Sequence, residues 1–527
     1  MIKNPILKGF NPDPSIVRVG EDYYIATSTF EWFPGVQIHH SKDLIHWELV
    51  ARPLSRTSQL DMVGNPDSCG VWAPCLSYDE GTFYLVYTNV RSFDGVWKDT
   101  PNFLVTTKDI LGDWSEPVFL SSSGFDGSLF HEDDGRKWFT SMIVDHRKGK
   151  FFGGIILQEY DVEKERLTGE VYHIFEGSEL GVTEAPHLYR LNGYYYLITA
   201  EGGTEYGHAV TLARSKSILG PYEIHPQNPI ITARNHPAAP LQKCGHADLV
   251  ETEKGDWYAV YLVGRPLTER GRCTLGRETA IAEVEWREDD WLYVKKEFAV
   301  SESPSATGSE AINTRNDFTA DELDINFQSL RVPVTEDWLS LGFRPGYMRL
   351  FGRESLSSFH YQSLVARRVQ HFHVGASTCL EFEPASFQQM AGLVCYYNTA
   401  HWFYLHVMGG EIGNGGKKFI QITACDNYKT TDILEDPIEI TGCARIGLKA
   451  DFNREKLQFY FAEKENDWRK IGGVLDGSIL SDDYVTNEGH RYRAAFTGAF
   501  VGLCCQDLTG QKMHADFDWF EYEEIFV

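Results

Sequence analysis

Three carboxylates stand out for their surroundings and spacing: Asp13, Asp126 and Glu184. They lie in the short polar motifs Asn11-Pro-Asp-Pro-Ser-Ile16, Phe125-Asp-Gly-Ser-Leu-Phe130 and Thr183-Glu-Ala-Pro-His-Leu188. Such a set can hydrolyse a glycosidic bond: one carboxylic acid protonates the leaving oxygen, and a second carboxylate activates water or attacks the sugar. A third carboxylate beside the acid raises its pKa by like-charge repulsion, which keeps it protonated near neutral pH. Asp13 is bracketed by Pro12 and Pro14, which predict an extended, stiff backbone around it. Asp126 is flanked by Gly124 and Gly127, where small residues permit close backbone approach. Taken singly, each acid would more often cap a turn. Their common phase in a repeat argues for chemistry.

That repeat is the element that must position them. Val71-Trp-Ala-Pro-Cys-Leu76 and Gly245-His-Ala-Asp-Leu-Val250 complete five motifs whose starts are 54 to 62 residues apart. Each is followed by an aromatic strand, beginning at Tyr23, Phe83, Trp138, Tyr194 and Trp257. Ser41–Trp47, Thr107–Trp114 and Ser215–Tyr222 form a second self-similar element in repeats one, two and four. Four short strands per repeat, separated by Gly, Asp and Asn, predict the blades of a β-propeller. The period is somewhat longer than the ~40–50 residues of common propeller repeats. Equivalent positions of blades converge on one axis, so Asp13, Asp126, Glu184 and His246 are expected to share a pocket. Trp72 and Ala73 fill the corresponding place in repeat two.

No apolar pattern holds a helical period for more than two turns, so the fold class is all-β. Beyond about residue 300 the repeat ends. Ser301–Glu310 is small, polar and interrupted by Pro and Gly, which is linker chemistry. Thr378–Glu383, Ala391–Tyr397, Trp402–Val407, Lys456–Ala462 and Phe517–Tyr522 then read as alternating strands without a period. The expected organisation is a five-bladed propeller over 1–305 and a β-sandwich of concanavalin A-like or jelly-roll type over 322–527. The sandwich is expected to close the pocket, being the only remaining part of the chain large enough to form a wall.

Composition narrows the partners. A chain of 527 residues exceeds the usual size of one core. The net charge of −26 excludes a polyanionic partner such as nucleic acid. The 13 Trp, 26 Tyr and 32 Phe suit strands and also flat sugar-binding surfaces. The ten cysteines show neither CxxC pairs nor zinc spacing, which predicts buried free thiols in a reducing compartment. No signal-like start and no run of 18 apolar residues are present, so a cytoplasmic location is expected.

Together, Asn11–Ile16, Trp72-Ala-Pro74, Phe125-Asp126, Glu184–Leu188 and Gly245–Val250 resemble glycoside hydrolase family 43, in particular its two-domain β-xylosidases. Phe30–Val36, Glu201–His208 and Leu275–Ile281 extend the resemblance over essentially the whole chain. It implies hydrolysis with inversion, with Asp13 as general base, Glu184 as general acid and Asp126 orienting the acid and raising its pKa. It also implies that Arg277 reaches the sugar pocket and that an aromatic from the sandwich, Phe496 or Phe500, closes it. Phe30 and Trp72 are candidates to stack on a pentose, as is Trp32. His246 is read as a substrate-binding or structural histidine. No cofactor is expected to be required, although related propellers hold calcium near such a residue. Ala185 and Ala247 each add a methyl group where similar enzymes have glycine, which puts fine substrate preference in question.

The function expected is an exo-acting β-1,4-xylosidase releasing xylose from non-reducing ends of xylooligosaccharides. The alternatives are an α-L-arabinofuranosidase or dual-activity enzyme and, more remotely, a non-catalytic carbohydrate-binding protein. The partner is a xylooligosaccharide, with neither nucleic acid nor membrane, and a homo-oligomer is expected.

Overall fold

The computed structural model describes residues 2–147, 151–295, 313–412, 416–486 and 494–525. The chain divides into two compact units, Met1–Gly271 with Arg277–Glu302 and Arg272–Gly276 with Ser303–Val527. The linker candidate Ser301–Glu310 lies outside the described residues.

The first unit is a five-bladed β-propeller of antiparallel sheets whose strands follow chain order. Blade one comprises Ser15–Val19, Asp22–Thr27, Gln37–Ser41 and Glu48–Ala51, and blade two Gly70–Asp79, Thr82–Val90, Asn102–Thr107 and Val118–Ser121. Blade three comprises Ser128–His131, Lys137–Val144, Phe152–Asp161 and Arg166–Phe175. Blade four runs through Glu184–Leu191, Tyr194–Glu201, Ala209–Ser215 and Glu223–Ile224, with Ile231–Thr232 beside its third strand. Blade five comprises Gln242–Glu251, Trp257–Gly264, Arg277–Trp286 and Leu292–Val294. The aromatic strands of the sequence are thus the second strands of the blades. In every blade the first hairpin turns on a glycine with positive φ: Gly20, Gly81, Gly135, Gly193 and Gly255. In Glu80-Gly81 and Asn192-Gly193 both residues have positive φ, as a two-residue hairpin loop with the right twist requires.

Burial lies mainly between blades. Ile38, Val71 and Leu85 join blades one and two, and Tyr196, Val210, Ala247 and Tyr261 join blades four and five. Ile25, Val260 and Leu7 join blade five to blade one. The ring is closed by the N-terminal segment, where Ile6 N–H donates to Thr279 O at 2.8 Å and Asn11 N–H donates to Arg277 O at 2.9 Å.

The second unit is a β-sandwich. One sheet runs Leu339–Ser340, Met348–Phe351, His514–Glu524, His373–Phe382, Ile446–Asn453, Lys456–Ala462 and Arg469–Asp476. The other includes Gln328–Leu330, Leu364–Arg368, Phe500–Asp507, Gln389–Asn398, His401–Gly409 and Lys418–Asp426. Alternation decides which side chains turn inward: along Ile446–Asn453 every second residue is buried, and Ile446, Leu448, Ala450 and Phe452 enter the core. The short run Arg272–Gly276, inside the repeat region by sequence, clusters with this unit. Gly276 is left-handed, with φ 72°, and a Cβ there would lie 2.1 Å from Thr497 O. All ten cysteines are free, and eight are buried. Among the described residues, helix is confined to Gly477–Ile479 and Asp482–Val485. Among the described residues, no helix is long and apolar enough to cross a membrane.

Candidate active site

In or just before the first strand of each blade, an equivalent residue has positive φ: Asp13 (55°), Ala73 (35°), Asp126 (56°), Ala185 (51°) and His246 (44°). Strand register gives the same alignment, since two residues later Ser15, Cys75, Ser128, His187 and Asp248 face Ala26, Val86, Thr140, Ile198 and Val260 of the second strands. Two expectations need correction. Asp13 is left-handed rather than extended, despite its two prolines. Glu184 is not in the slot of Asp13 and Asp126; it stands one residue earlier, opposite Ala200, and the extra residue is absorbed as a bulge between Glu184 and His187. The offset gives the longer side chain a different approach to the same axis.

Asp13 is nearly inaccessible, and its carboxylate accepts a hydrogen bond from Ser28 Oγ at 2.7 Å. Arg277 Nη1 lies 3.4 Å and His246 Nδ1 3.7 Å from Asp13 Oδ1. Burial pushes the Asp13 pKa up, but Arg277, His246, the Ser28 hydrogen bond and His208 together bring it below the ordinary value. His246 is itself driven down to about 4 by burial and His208 to about 3. Both imidazoles are therefore neutral near pH 7, which leaves Arg277 and Ser28 to keep Asp13 ionised.

Glu184 and Asp126 behave oppositely. Burial first, and the Asp13 carboxylate second, push Glu184 up to about 8. Burial, Glu184 and Asp13 push Asp126 well above the carboxylate range. Charge on the two is coupled, so the proton that one sheds is felt by the other. Ala185 N–H donates to Asp126, which ties that carboxyl to the backbone next to Glu184. Glycines permit the tight fit around Asp126: a Cβ on Gly124 would lie 1.8 Å from Met142 O, and one on Gly127 2.6 Å from the Phe139 ring.

Arg277 opens the third strand of blade five and donates to Thr204 Oγ1 at 2.9 Å. Its guanidinium lies 5.3 Å from the Phe30 ring centre. Its chain neighbour Glu278 pairs with Arg265 at 2.6 Å. Trp72 packs on Phe30, Phe93 and Phe125 at 6.0, 5.0 and 5.3 Å, and its Nε1–H donates to Ser68 O. Trp32 is wholly buried. The methyl of Ala247 belongs to the apolar core shared by blades four and five, not to a pocket wall. The propeller thus brings Asp13, Asp126, Glu184, Phe30, Trp72, His246 and Arg277 to one end of its axis. Phe496 and Phe500 belong to the second unit: Phe496 is half-buried, and Phe500 is a fully buried strand residue facing Arg368 and Tyr396.

Ser28, Thr204, His208 and His187 were not assigned roles from the sequence. Thr204 and His208 lay within a motif quoted for its resemblance, but nothing local signals that Thr204 meets Arg277. Below the acids, Asp248 accepts hydrogen bonds from Ser15 Oγ (2.9 Å), Ile16 N–H (2.8 Å) and the Tyr189 hydroxyl, linking blades one, four and five.

Among the described residues, no group of three or more His, Cys, Asp and Glu side chains could hold a metal ion. Around His246 the carboxylates are Asp13 and Asp248, and Arg277 also faces the ring. Calcium takes about six to eight oxygens, a set this donor environment does not offer.

Three carboxyls gathered on a propeller, one beside an arginine and two favoured in the protonated form by burial, are the groups an acid–base glycosidase needs. The model of glycosyl hydrolases family 43 matches residues 2–292, and that of the beta xylosidase C-terminal concanavalin A-like domain matches 315–523. The chain belongs to glycosyl hydrolase family 43. It is 51% identical to a beta-xylosidase of Bacillus subtilis, with 99% of each chain covered. It is 50% identical to xylosidase/arabinosidase 43B of Humicola insolens, covering 99% of this chain and 98% of that one. A crystal structure of xylan beta-1,4-xylosidase from Bacillus halodurans superposes with a TM-score of 0.93 at 51% identity, covering 99% of this chain and 100% of that one.

Proposed function

We propose that this protein is an exo-acting β-1,4-xylosidase that releases xylose from the non-reducing ends of xylooligosaccharides with inversion. The observation that carries it is the gathering of three carboxyls on the propeller, with Asp13 held by Ser28 and beside Arg277 while burial and the Asp13 charge favour the protonated form of Glu184. Asp13 takes a proton from water as the water oxygen attacks the anomeric carbon. Glu184 gives its proton to the departing glycosidic oxygen. The protons are restored by exchange with solvent after product leaves. Asp126 orients Glu184, and Arg277, with Thr204 behind it, presents its guanidinium to sugar hydroxyls. Phe30 and Trp72 supply apolar ring surface for the pentose.

An inverting pair leaves about 6.5–9.5 Å between the carboxyls, room for a water. Proton NMR of the first product formed from xylobiose tests the reading: α-xylose is expected, and initial β-xylose would sink it. A second reading, α-L-arabinofuranosidase or dual activity, is favoured by the relative named xylosidase/arabinosidase. Relative rates on the two 4-nitrophenyl glycosides separate the possibilities.

The rest of the reading is broader. The buried free thiols support a reducing, cytoplasmic setting. No cofactor is required in the scheme, and a homo-oligomer is proposed, testable by light scattering. The C-terminal sandwich, with Phe496 or Phe500, is proposed to supply the wall that exo action needs. A soluble 1–320 fragment with full activity would remove that part.

A further inference from the structure

Blade two has no acid at its positive-φ position, where Ala73 stands. Its backbone nevertheless reaches the catalytic group of blade one through a single side chain. Ala73 N–H donates to Ser28 Oγ at 2.7 Å, and Ser28 Oγ–H donates to Asp13 Oδ2 at 2.7 Å. Ser28 is fully buried, and its own N–H donates to Pro12 O at 3.1 Å, next to Asp13 in the chain. A hydroxyl has one proton and two lone pairs. The amide can only donate and the ionised carboxylate can only accept, so both ends of this relay dictate where the hydroxyl proton points.

We propose that Ser28 is a positioning residue for the base, fixing the rotation of the Asp13 carboxylate so that Oδ1 takes the proton from water. Oδ2 takes the short bond from the hydroxyl, whereas Oδ1 accepts a longer hydrogen bond from Arg277 Nη1 at 3.4 Å and lies 3.7 Å from His246 Nδ1. Blade two thereby serves the reaction without a carboxylate, by lending the amide of its slot residue. The inference rests on Asp13 as the base and adds which of its oxygens acts and what holds it.

The test uses the full-length chain with Ser28→Ala and Ser28→Thr, assayed on xylobiose and 4-nitrophenyl β-xyloside across pH. The other charged or titratable groups facing Asp13 are Arg277, His246, His208, Glu184 and Asp126, and both variants retain them all. In Ser28→Ala, kcat should fall about tenfold on both substrates with KM nearly unchanged, and the acid limb should move up by about one pH unit. Ser28→Thr keeps the hydroxyl and should keep the wild-type acid limb. Rates are referred to the folded fraction from thermal melts. An unmoved acid limb in Ser28→Ala, or the same shift in both variants, overturns the proposal. Asp13→Ala assayed alongside separates the two levels: full activity there would sink the assignment of the base itself.

Discussion

Two clusters of buried and half-buried carboxyls, one in each unit, resolve the same problem in opposite ways. In the sandwich, Asp516 is pinned between Arg349 at 2.7 Å and Arg344 at 2.9 Å, and Arg344 also grips Glu381 at 2.7 Å. Burial raises the Asp516 pKa, but the hydrogen bonds from Arg349 and Arg344 outweigh it and the carboxylate stays ionised. On the propeller axis, three carboxyls share Arg277, which lies beside Asp13. Asp13 is ionised, while Glu184 and Asp126 are pushed up by burial and by neighbouring negative charge. Pairing every carboxylate with arginine gives a rigid, chemically inert arrangement. Supplying too few cations leaves a proton on an acid at neutral pH, and that proton is what the reaction uses.

The largest effect expected from breaking this contrast is on turnover. Asp13→Ala should lower kcat by about 10⁴-fold on both xylobiose and an activated aryl xyloside, since water activation is needed whatever the leaving group. Glu184→Ala should lose about 10³-fold on xylobiose and far less on the aryl xyloside, whose leaving group needs little protonation. Equal losses across leaving groups for both variants would overturn the division of roles.

On the sandwich side, Asp516→Ala strands Arg349 and leaves Arg344 to Glu381 alone, and should cost about 2 kcal/mol of stability in urea unfolding, with kcat of the folded protein unchanged. Because the folded pKa of Asp516 is depressed, its contribution is present above the unfolded carboxylate pKa and is lost as pH falls through the folded value. The variant and wild type should therefore converge in stability in strong acid. No convergence would mean that the arginines do not act through charge.

A smaller effect sharpens the propeller side. The folded pKa of Glu184 is raised, so the native state binds the extra proton between about pH 4.3 and 8, and stability falls as pH rises through that window. Glu184→Gln removes the titration. Its melting temperature should exceed that of wild type by more at pH 8 than at pH 5. The reverse order would show that Glu184 is ionised in the resting protein.

Much of this was legible in the residues. Five motifs and five aromatic strands sufficed for the blades, because alternation and turn glycines are local signals. Asp13, Asp126 and Glu184 were legible because proline and glycine flank the positive-φ positions at or beside them. The one-residue offset of Glu184 was not, since a bulge is defined by pairing with a partner strand and only Ala200 opposite Glu184 reveals it. Ser28 and Thr204 escaped for a related reason. Each is a common small hydroxyl residue, and its meaning comes from Ala73, Asp13 or Arg277 at distant places in the chain. Arg277 drew attention through the resemblance, and strand alternation, which sends successive side chains to opposite faces, gives its neighbour Glu278 a different partner in Arg265.

The central claim is that one carboxyl is ionised and another protonated on the same axis, and the pH dependence of kcat/KM on xylobiose tests it most directly. A bell is expected, with its acid limb below the ordinary aspartate value, set by Asp13, and its basic limb near about 8, set by Glu184 coupled to Asp126. A rate that rises or stays flat from pH 5 through 10, or a basic limb near the ordinary carboxylate pKa, would contradict the account.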